Sequence, residues 1–408
     1  MVSGHLRFIV EVTTQPHQPM RTSRLYHQLH TLLGQAISWR DQRHLQTLIW
    51  MVIGLICSEC INLSKWRVYV HTRAVFAQSH QRRFSRWLHN PRINVHKLYS
   101  SLIRAALAGW NMTSITLIED TSMLWDEYCL IRLSVQYRGR AIPLLWRVIR
   151  HRSSSVRFEV YQGMLKRAVG LLPSGVSVCF LADRGFADTE LMGYLRDSLG
   201  WHFRIRVKSN SWIERPGKGW IQLSDYHLAL GEVVLLQGVS LTKTTKIRGL
   251  HLALARDPLS TSVWMVVSDQ PTTLQTLREY GERFQIEEEL LDEKSNGFQL
   301  ERSELRSSPA LSRLCFVMAV ATLLLTVQGQ QVVASGKRRW VDAHWQRGNS
   351  YLRIGWNWVK GTLHQGWPLF KTIILDGRLD PEPASASKAD AHTRLEREFT
   401  VRSYCFSS

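Results

Sequence analysis

Ser114-Ile-Thr-Leu-Ile-Glu-Asp120 is a short apolar run closed by two acids, the pattern of a buried strand that carries a carboxylate to its end. The chain repeats the pattern downstream, where Val176-Ser-Val-Cys-Phe-Leu-Ala182 is followed at once by Asp183. Between the two, Tyr128 to Tyr137 and Ala141 to Ile149 flank Arg138-Gly139-Arg140, which predicts a hairpin. Helices are expected over Val156 to Leu172 and Thr189 to Ser198, and a further strand over Trp201 to Val207. Strand, hairpin, helix, strand, helix, strand is the order of an α/β fold, a mixed sheet flanked by helices. Residues 208–268 break the rhythm with Gly, Pro and short runs such as Glu232 to Leu236 and Ser262 to Val267, and read as a small β-rich insertion. A long helical tract from Leu274 to Glu293 and a very apolar helix from Ser308 to Gln328 come next.

Outside this core the chain is strongly basic. Its 408 residues are 44% hydrophobic and 21% charged, a globular profile, and the length favours two or three domains. Lys and Arg number 52 against 33 acids, a formal charge of +19, which points to a polyanionic partner. A membrane is disfavoured: the longest apolar runs, Leu314 to Val327 and Leu48 to Ile56, fall short of the roughly 20 residues a bilayer requires. The N-terminus has none of the features of an export signal, so a cytoplasmic protein is expected. Residues 1–110 hold 14 Lys and Arg against Glu11, Asp41 and Glu59, begin irregularly around Pro16 and Pro19, and then read as several helices. There Arg82, Arg83 and Arg86 interleave with Phe84, Trp87 and Leu88 at helical spacing, free for phosphates if the apolar side anchors the helix, or else forming a solvated face. Six scattered cysteines make no disulfide framework, and Cys57 and Cys60 read as small core side chains ahead of a structural metal. The expected organisation is a basic helical region over 1–110, a core over 111–207 and 269–330 divided by the insertion at 208–268, a basic Trp/Gly-rich region over 331–375, and a disordered tail over 376–408, its least structured part at Asp380 to His392.

In open α/β sheets the ligand site lies beyond the carboxyl ends of the strands, so Asp120 and Asp183 converge if their strands are neighbours. Paired hard oxygen ligands suit Mg²⁺ or Mn²⁺. Asp188 reads as a helix cap. On the tract Tyr280-Gly-Glu-Arg-Phe-Gln-Ile-Glu-Glu-Glu-Leu-Leu-Asp-Glu-Lys294, a regular helix puts Tyr280, Arg283, Glu287 and Lys294 in a stripe roughly 60° wide. Glu288, Glu289, Asp292 and Glu293 point elsewhere and read as solvated charges. A carboxylate flanked by Tyr, Arg and Lys can hold a metal while gripping phosphate oxygens; an ordinary i, i+4 ion pair between Arg283 and Glu287 is the plainer alternative.

The spacing Y-(2)-R-(3)-E-(6)-K, filled by Tyr280, Arg283, Glu287 and Lys294, resembles the signature of the insertion-sequence-four superfamily of bacterial DDE transposases. Ile118-Glu-Asp120-Thr-Ser resembles that family's first-aspartate block, Leu181-Ala-Asp183-Arg-Gly-Phe its second, and Arg82 to Asn90 its basic N-terminal region. Glu304-Leu-Arg-Ser-Ser-Pro309 with the apolar helix after it resembles the family's segment downstream of the glutamate. The resemblance spans about residues 45–330. It implies a ribonuclease-H-like core, with a helical N-terminal DNA-binding domain and the β-rich insertion before the glutamate helix. It implies that Asp120, Asp183 and Glu287 bind two Mg²⁺ or Mn²⁺ ions about 3.5 to 4 Å apart. It implies further that Tyr280, Arg283 and Lys294 hold transposon-end phosphates, and that one of Trp212, Trp220 and Trp264 can stack an extruded base. The function so implied is cut-and-paste transposition by a homodimer on double-stranded DNA, with terminal inverted repeats bound, the backbone cleaved and 3′ ends joined to target. The alternatives are an inactive relative acting as a DNA-binding repressor and a ribonuclease-H-like nuclease that cuts without joining.

Overall fold

The computed structural model describes residues 22–72, 74, 76–257, 263–384 and 399–406. The irregular start around Pro16 and Pro19, and His392 with the residues from 385 onward in the stretch expected to be least structured, lie outside the described residues. The N-terminal region is helical: α1 (Thr22–Ala36), α2 (Gln42–Ser58), α3 (Leu63–Trp66), α4 (Ala77–Leu88) and α5 (Val95–Leu107). Asp41 starts α2 by accepting from the Arg43 N–H. From Leu45 to Ile56 every α2 side chain except Gln46 is buried, so α2 is a core helix rather than a surface one.

Among the described residues eleven strands then form one open mixed sheet with β3 and β7 at its ends: β1 (Ser114–Leu124), β2 (Tyr128–Tyr137), β3 (Arg140–Arg150), β4 (Ser177–Ala182), β5 (His202–Arg206), β6 (Trp212–Arg215), β7 (Gly219–Gln222), β8 (Glu232–Leu241), β9 (Ile247–Arg256), β10 (Val263–Ser268) and β11 (Thr400–Cys405). The order is β3-β2-β1-β4-β5-β10-β9-β8-β6-β7, with β11 added beside β8. Strands β1, β4 and β5 run parallel, joined through α6 (Phe158–Val169) and α7 (Thr189–Gly193). The β2–β3 turn has Arg138 and Gly139 both at positive φ, the two-residue geometry that matches strand twist. Strands β6 to β10 continue the same sheet through the β5–β10 pairing.

Helix α10 (Ser308–Ala334) forms the centre of the core. It is 27 residues long, well past the apolar run that ends at Val327, and is long and apolar enough to cross a bilayer, yet 94% of its apolar window is buried inside the protein. It packs on β3, α2 and α11 (Tyr351–Gln365). The α10–α11 crossing works only because Gly329 and Gly355 face each other: a Cβ on Gly355 would sit 1.8 Å from the Leu325 carbonyl oxygen.

The tract 274–293 departs from the single straight helix expected of it. It splits into α8 (Leu274–Gly281) and α9 (Phe284–Leu291), followed by a wider π turn over Asp292–Asn296. At the joint the N–H groups of Arg283, Gln285 and Ile286 reach back three residues rather than four, next to the weak helix former Gly281. The expectation that Glu289 and Glu293 are solvated is also overturned. Both are buried against Arg132 of β2, itself 0% exposed, whose Nη1 and Nη2 lie 2.8 Å from Glu289 and Glu293 respectively. Burial raises both carboxyls above their usual range and Arg132 pulls them back down. Glu288 remains half-exposed and shares Arg140 with the largely covered Asp292.

The tail expected to be disordered from residue 376 is in part tied down. Arg138 and Arg378 pair with Asp376, Arg347 with Asp380, and Arg338 with Glu382. The Tyr351 hydroxyl donates to Asp380 at 2.6 Å. Residues 400–405 form β11, parallel to β8. Neither the short spacing of these acids nor the six residues of β11 carry enough periodicity to announce a partner far away in the chain.

Replacing Arg132 by Met should leave two buried carboxylates without a counter-charge and destabilise the fold by about 3 to 5 kcal/mol. The triple change Arg132→Met, Glu289→Leu, Glu293→Met should recover most of that loss. Denaturant unfolding checks both; a single variant as stable as wild type would remove the triad from its structural role.

Candidate active site

Parallel pairing sets the two aspartates side by side. The β1–β4 register matches Glu119 with Ala182, so Asp120 and Asp183 are level on adjacent chains roughly 5 Å apart. Only Asp183 closes its strand: it caps the next turn by accepting from the Gly185 N–H at 2.7 Å. Asp120, expected at a strand end, lies inside β1, which runs on to Leu124; it becomes accessible because its neighbour β4 stops at Ala182. The Thr121 N–H donates to its Oδ1 at 2.8 Å. Alternation puts Glu119 on the other face of the sheet, buried, with neither carboxyl oxygen partnered and its carboxyl raised well above the ordinary range by burial. Asp188 caps α7 as expected, accepting from Glu190 N–H.

Arg283 connects the third acid. From the joint between α8 and α9 its Nη1 lies 3.4 Å from Asp120 Oδ2 while its Nη2 donates to Glu287 Oε1. The Arg283 side chain is 7% exposed and lies over the Phe284 ring, whereas Glu287 is 50% exposed. Burial raises the Asp120 carboxyl to about 6; Arg283 and the Thr121 N–H oppose the rise, and the nearby charges of Asp183 and Glu287 add to it. Asp183 and Glu287, remote from it in sequence, thus both act on Asp120. Tyr280 is buried beside Arg283, Arg206 and Asp183, and burial raises its hydroxyl. Lys294 does not join this group directly. Its Nζ donates to the Met123 carbonyl at 2.7 Å, three residues along β1 from Asp120, and pairs with Glu301 at 3.7 Å.

Of the three tryptophans, Trp264 packs edge-on to Tyr280, with ring centres 5.4 Å apart. Trp212 and Trp220 sit on the β6–β7 hairpin, under Lys243 and Lys246. On α4, Arg82 and Arg86 are exposed, while Arg83 turns inward and donates to Thr47 Oγ1 at 3.0 Å.

Among the described residues no group of three or more His, Cys, Asp or Glu side chains is gathered to hold a metal ion. Asp120, Asp183 and Glu287 have the donor chemistry for one, hard carboxylate oxygens whose mutual repulsion a divalent cation would relieve. In the arrangement described, the cation between Asp120 and Glu287 is the Arg283 guanidinium.

A basic cavity adjoins the acids and was not anticipated. Because Ala182 pairs with Ile205 in the parallel β4–β5 ladder, Arg206 stands level with Asp183. With Arg184, Lys208, Tyr226, His227 and Arg256 it lines a space of about 1060 Å³ with no Asp or Glu among its described lining residues. Arg256 gives Nη1 to the Leu228 carbonyl, and its buried Nε has no hydrogen-bond partner. The strand-end logic that singles out Asp183 would also have found Arg206, had Trp201 to Val207 been placed beside Val176 to Ala182.

Because the Asp120 carboxyl is raised in the folded chain, an unfolded chain ionises it first as pH rises from about 4 to about 6. Stability is thus lost over that window and stays reduced above it. Asp120→Asn should be more stable than wild type at pH 7.5 by about 2 to 3 kcal/mol, and the gap should close near pH 4. Denaturant titrations at the two pH values measure it; a variant less stable at pH 7.5 contradicts the crowding of charge.

Residues 164–324 match the family model described as transposase DDE domain, a span that takes in Asp183, Tyr280, Arg283, Glu287 and Lys294 and stops short of Asp120. No curated protein matches the chain by sequence. Among solved structures, the chain is similar to the piggyBac transposase synaptic complex with hairpin DNA, at 10% identity and a TM-score of 0.43, covering 94% of this chain and 91% of that one. It is similar as well to Marinitoga piezophila Argonaute in complex with 5′ OH guide RNA and target DNA, at 8% identity and a TM-score of 0.24, covering 55% and 33%. Likenesses at these scores carry no functional weight. The similarity that stands is to the transposase DDE domain, over 164–324.

Proposed function

We propose that the protein is a metal-dependent DDE transposase that binds the terminal inverted repeats of an insertion sequence, cleaves the DNA backbone and joins the 3′ ends to target DNA. The observation that carries this is that Asp120 stands level with Asp183 on neighbouring parallel strands and is linked to Glu287 through Arg283. The transposase DDE domain match over 164–324 supports it, as does the charge of +19. In this reading the sheet is a ribonuclease-H-like core and α9 its glutamate helix. Two Mg²⁺ or Mn²⁺ ions, when bound, polarise the phosphate, activate the attacking oxygen and stabilise the leaving one.

The chain's own groups do the rest. A backbone N–H holds one carboxyl oxygen of Asp120 and one of Asp183, which leaves the second oxygen of each, at Asp120 the one facing Arg283, for a cation. Arg283 and Lys294 bring positive charge to end phosphates, and buried Tyr280 packs beside Arg283 and Arg206. The cavity lined by Arg184, Arg206, Lys208 and Arg256 takes a run of backbone beside Asp183. Trp212, Trp220 and Trp264 are the candidates for stacking an extruded base, and Trp264 is the one packed on Tyr280. Arg82 and Arg86 offer phosphate contacts on the N-terminal helices, and a homodimer bridges two ends. A nuclease that cuts without joining is the second reading, and the Tyr280–Arg283–Lys294 set weighs against it, since a hydrolase need not retain its product ends.

On labelled end DNA with Mg²⁺, Asp120→Ala should abolish nicking and leave binding within about twofold; an unchanged nicking rate rejects the assignment. The double variant Arg184→Met, Lys208→Met should lower DNA affinity and make the plot of log K against log salt shallower by about 2, each lost phosphate contact contributing roughly 0.9. A slope equal to wild type would place the DNA elsewhere.

A further inference from the structure

We infer that Arg283 couples DNA binding to metal loading: in the free protein its guanidinium occupies the carboxylates of Asp120 and Glu287, and a DNA phosphate that draws it away opens them to the cation. The inference rests on the reading of those acids as metal ligands and adds an order of events to it.

The geometry is specific to the guanidinium. Its two terminal nitrogens face one acid each, 3.4 Å from Asp120 on one side and bonded to Glu287 on the other, while its buried Nε has no hydrogen-bond partner. The guanidinium is only 7% exposed, and a phosphate added to it would crowd a third anion against Asp120 and Glu287, so binding the phosphate favours release of a carboxylate. Its position suits such an exchange. Arg283 lies at the joint between α8 and α9, where the helical bonds are shortened, and Glu287 is half-exposed and so can turn. Glu289 of α9 and Glu293 of the π turn after it stay anchored by Arg132, so the exchange can occur without moving the helix. A phosphate has a ready approach: Tyr280 touches the surroundings of both Arg283 and Arg206, and Arg206 opens into the basic cavity. Cation and guanidinium thus compete for the same oxygens, and phosphate and carboxylate compete for the same guanidinium. Linkage then requires DNA and metal to tighten each other by one common factor.

The test is Mn²⁺ binding to the full chain, read by the electron paramagnetic resonance signal of free Mn²⁺, without any turnover. Arg283→Lys keeps the charge but cannot span two carboxylates; Arg283→Met removes both. Without DNA, both variants should bind Mn²⁺ more tightly than wild type by about fivefold or more, within the usual range of couplings between sites. A short mixed-sequence duplex should tighten Mn²⁺ binding more in wild type than in Arg283→Lys. An Arg283→Lys isotherm equal to wild type, with only Arg283→Met tighter, would mean simple charge repulsion and overturn the coupling. Equal gains from the duplex in both proteins would overturn it too. Asp183→Asn separates the two levels: if it leaves the wild-type isotherm unchanged, the ligand assignment falls and the coupling falls with it. Circular dichroism melts verify that each variant is folded.

Discussion

The ion triad of Arg132, Glu289 and Glu293 is the contact on which the site depends. A guanidinium with no exposure, its two nitrogens at 2.8 Å from two buried carboxylates, fixes α9 on β2, and β2 pairs directly with β1. The register sets Arg132 opposite Asp120, so one interaction ties the strand bearing the first acid to the helix bearing the third. Such a triad is a costly way to gain stability, because removing charges from water offsets most of the attraction. Its value here is directional. Apolar packing would let α9 slide or rotate, whereas three ionic groups with fixed hydrogen-bond geometry hold one rotation, the one that turns Arg283, at the start of α9, towards Asp120.

Around that anchor the site is a problem of like charges. Asp120 and Asp183 are brought level by parallel pairing, Glu287 approaches from the helix, and the burial of Asp120 strengthens what it feels from both. Arg283 partly answers the crowding, yet burial first, and the two neighbouring acids after it, still hold the Asp120 carboxyl at about 6. The basic cavity at the end of β5 supplies the complementary surface, without an acid among its described lining residues.

The sequence made the order of elements through β5 readable because buried strands of four to eight apolar residues and a Gly-containing turn are local signals. Asp183 was legible for the same reason, ending a continuous apolar run. Asp120 was legible as a residue but not in its setting, since the length of β4, not of β1, exposes it. What failed was whatever depended on a distant partner. A helical wheel sorts Glu289 and Glu293 as solvent-facing because nothing within α9 reveals Arg132, 157 residues away. The break at Gly281 was hidden because one glycine lowers helix propensity by only about 1 kcal/mol, too little to predict a joint. Strand β11 and the ties of Asp376 and Asp380 went unseen because they are written in acids and short polar runs, whose partners are chosen by the tertiary fold.

The central claim, that three acids remote in sequence surround a shared cation, can be read out on the polypeptide itself. Fe²⁺ substituted for Mg²⁺ in the presence of ascorbate and peroxide generates hydroxyl radicals that cut the chain near the bound ion. The account predicts fragments ending near residues 120, 183 and 287 together, suppressed by excess Mg²⁺. Cuts at only one of these positions, or a pattern that Mg²⁺ does not suppress, would contradict it.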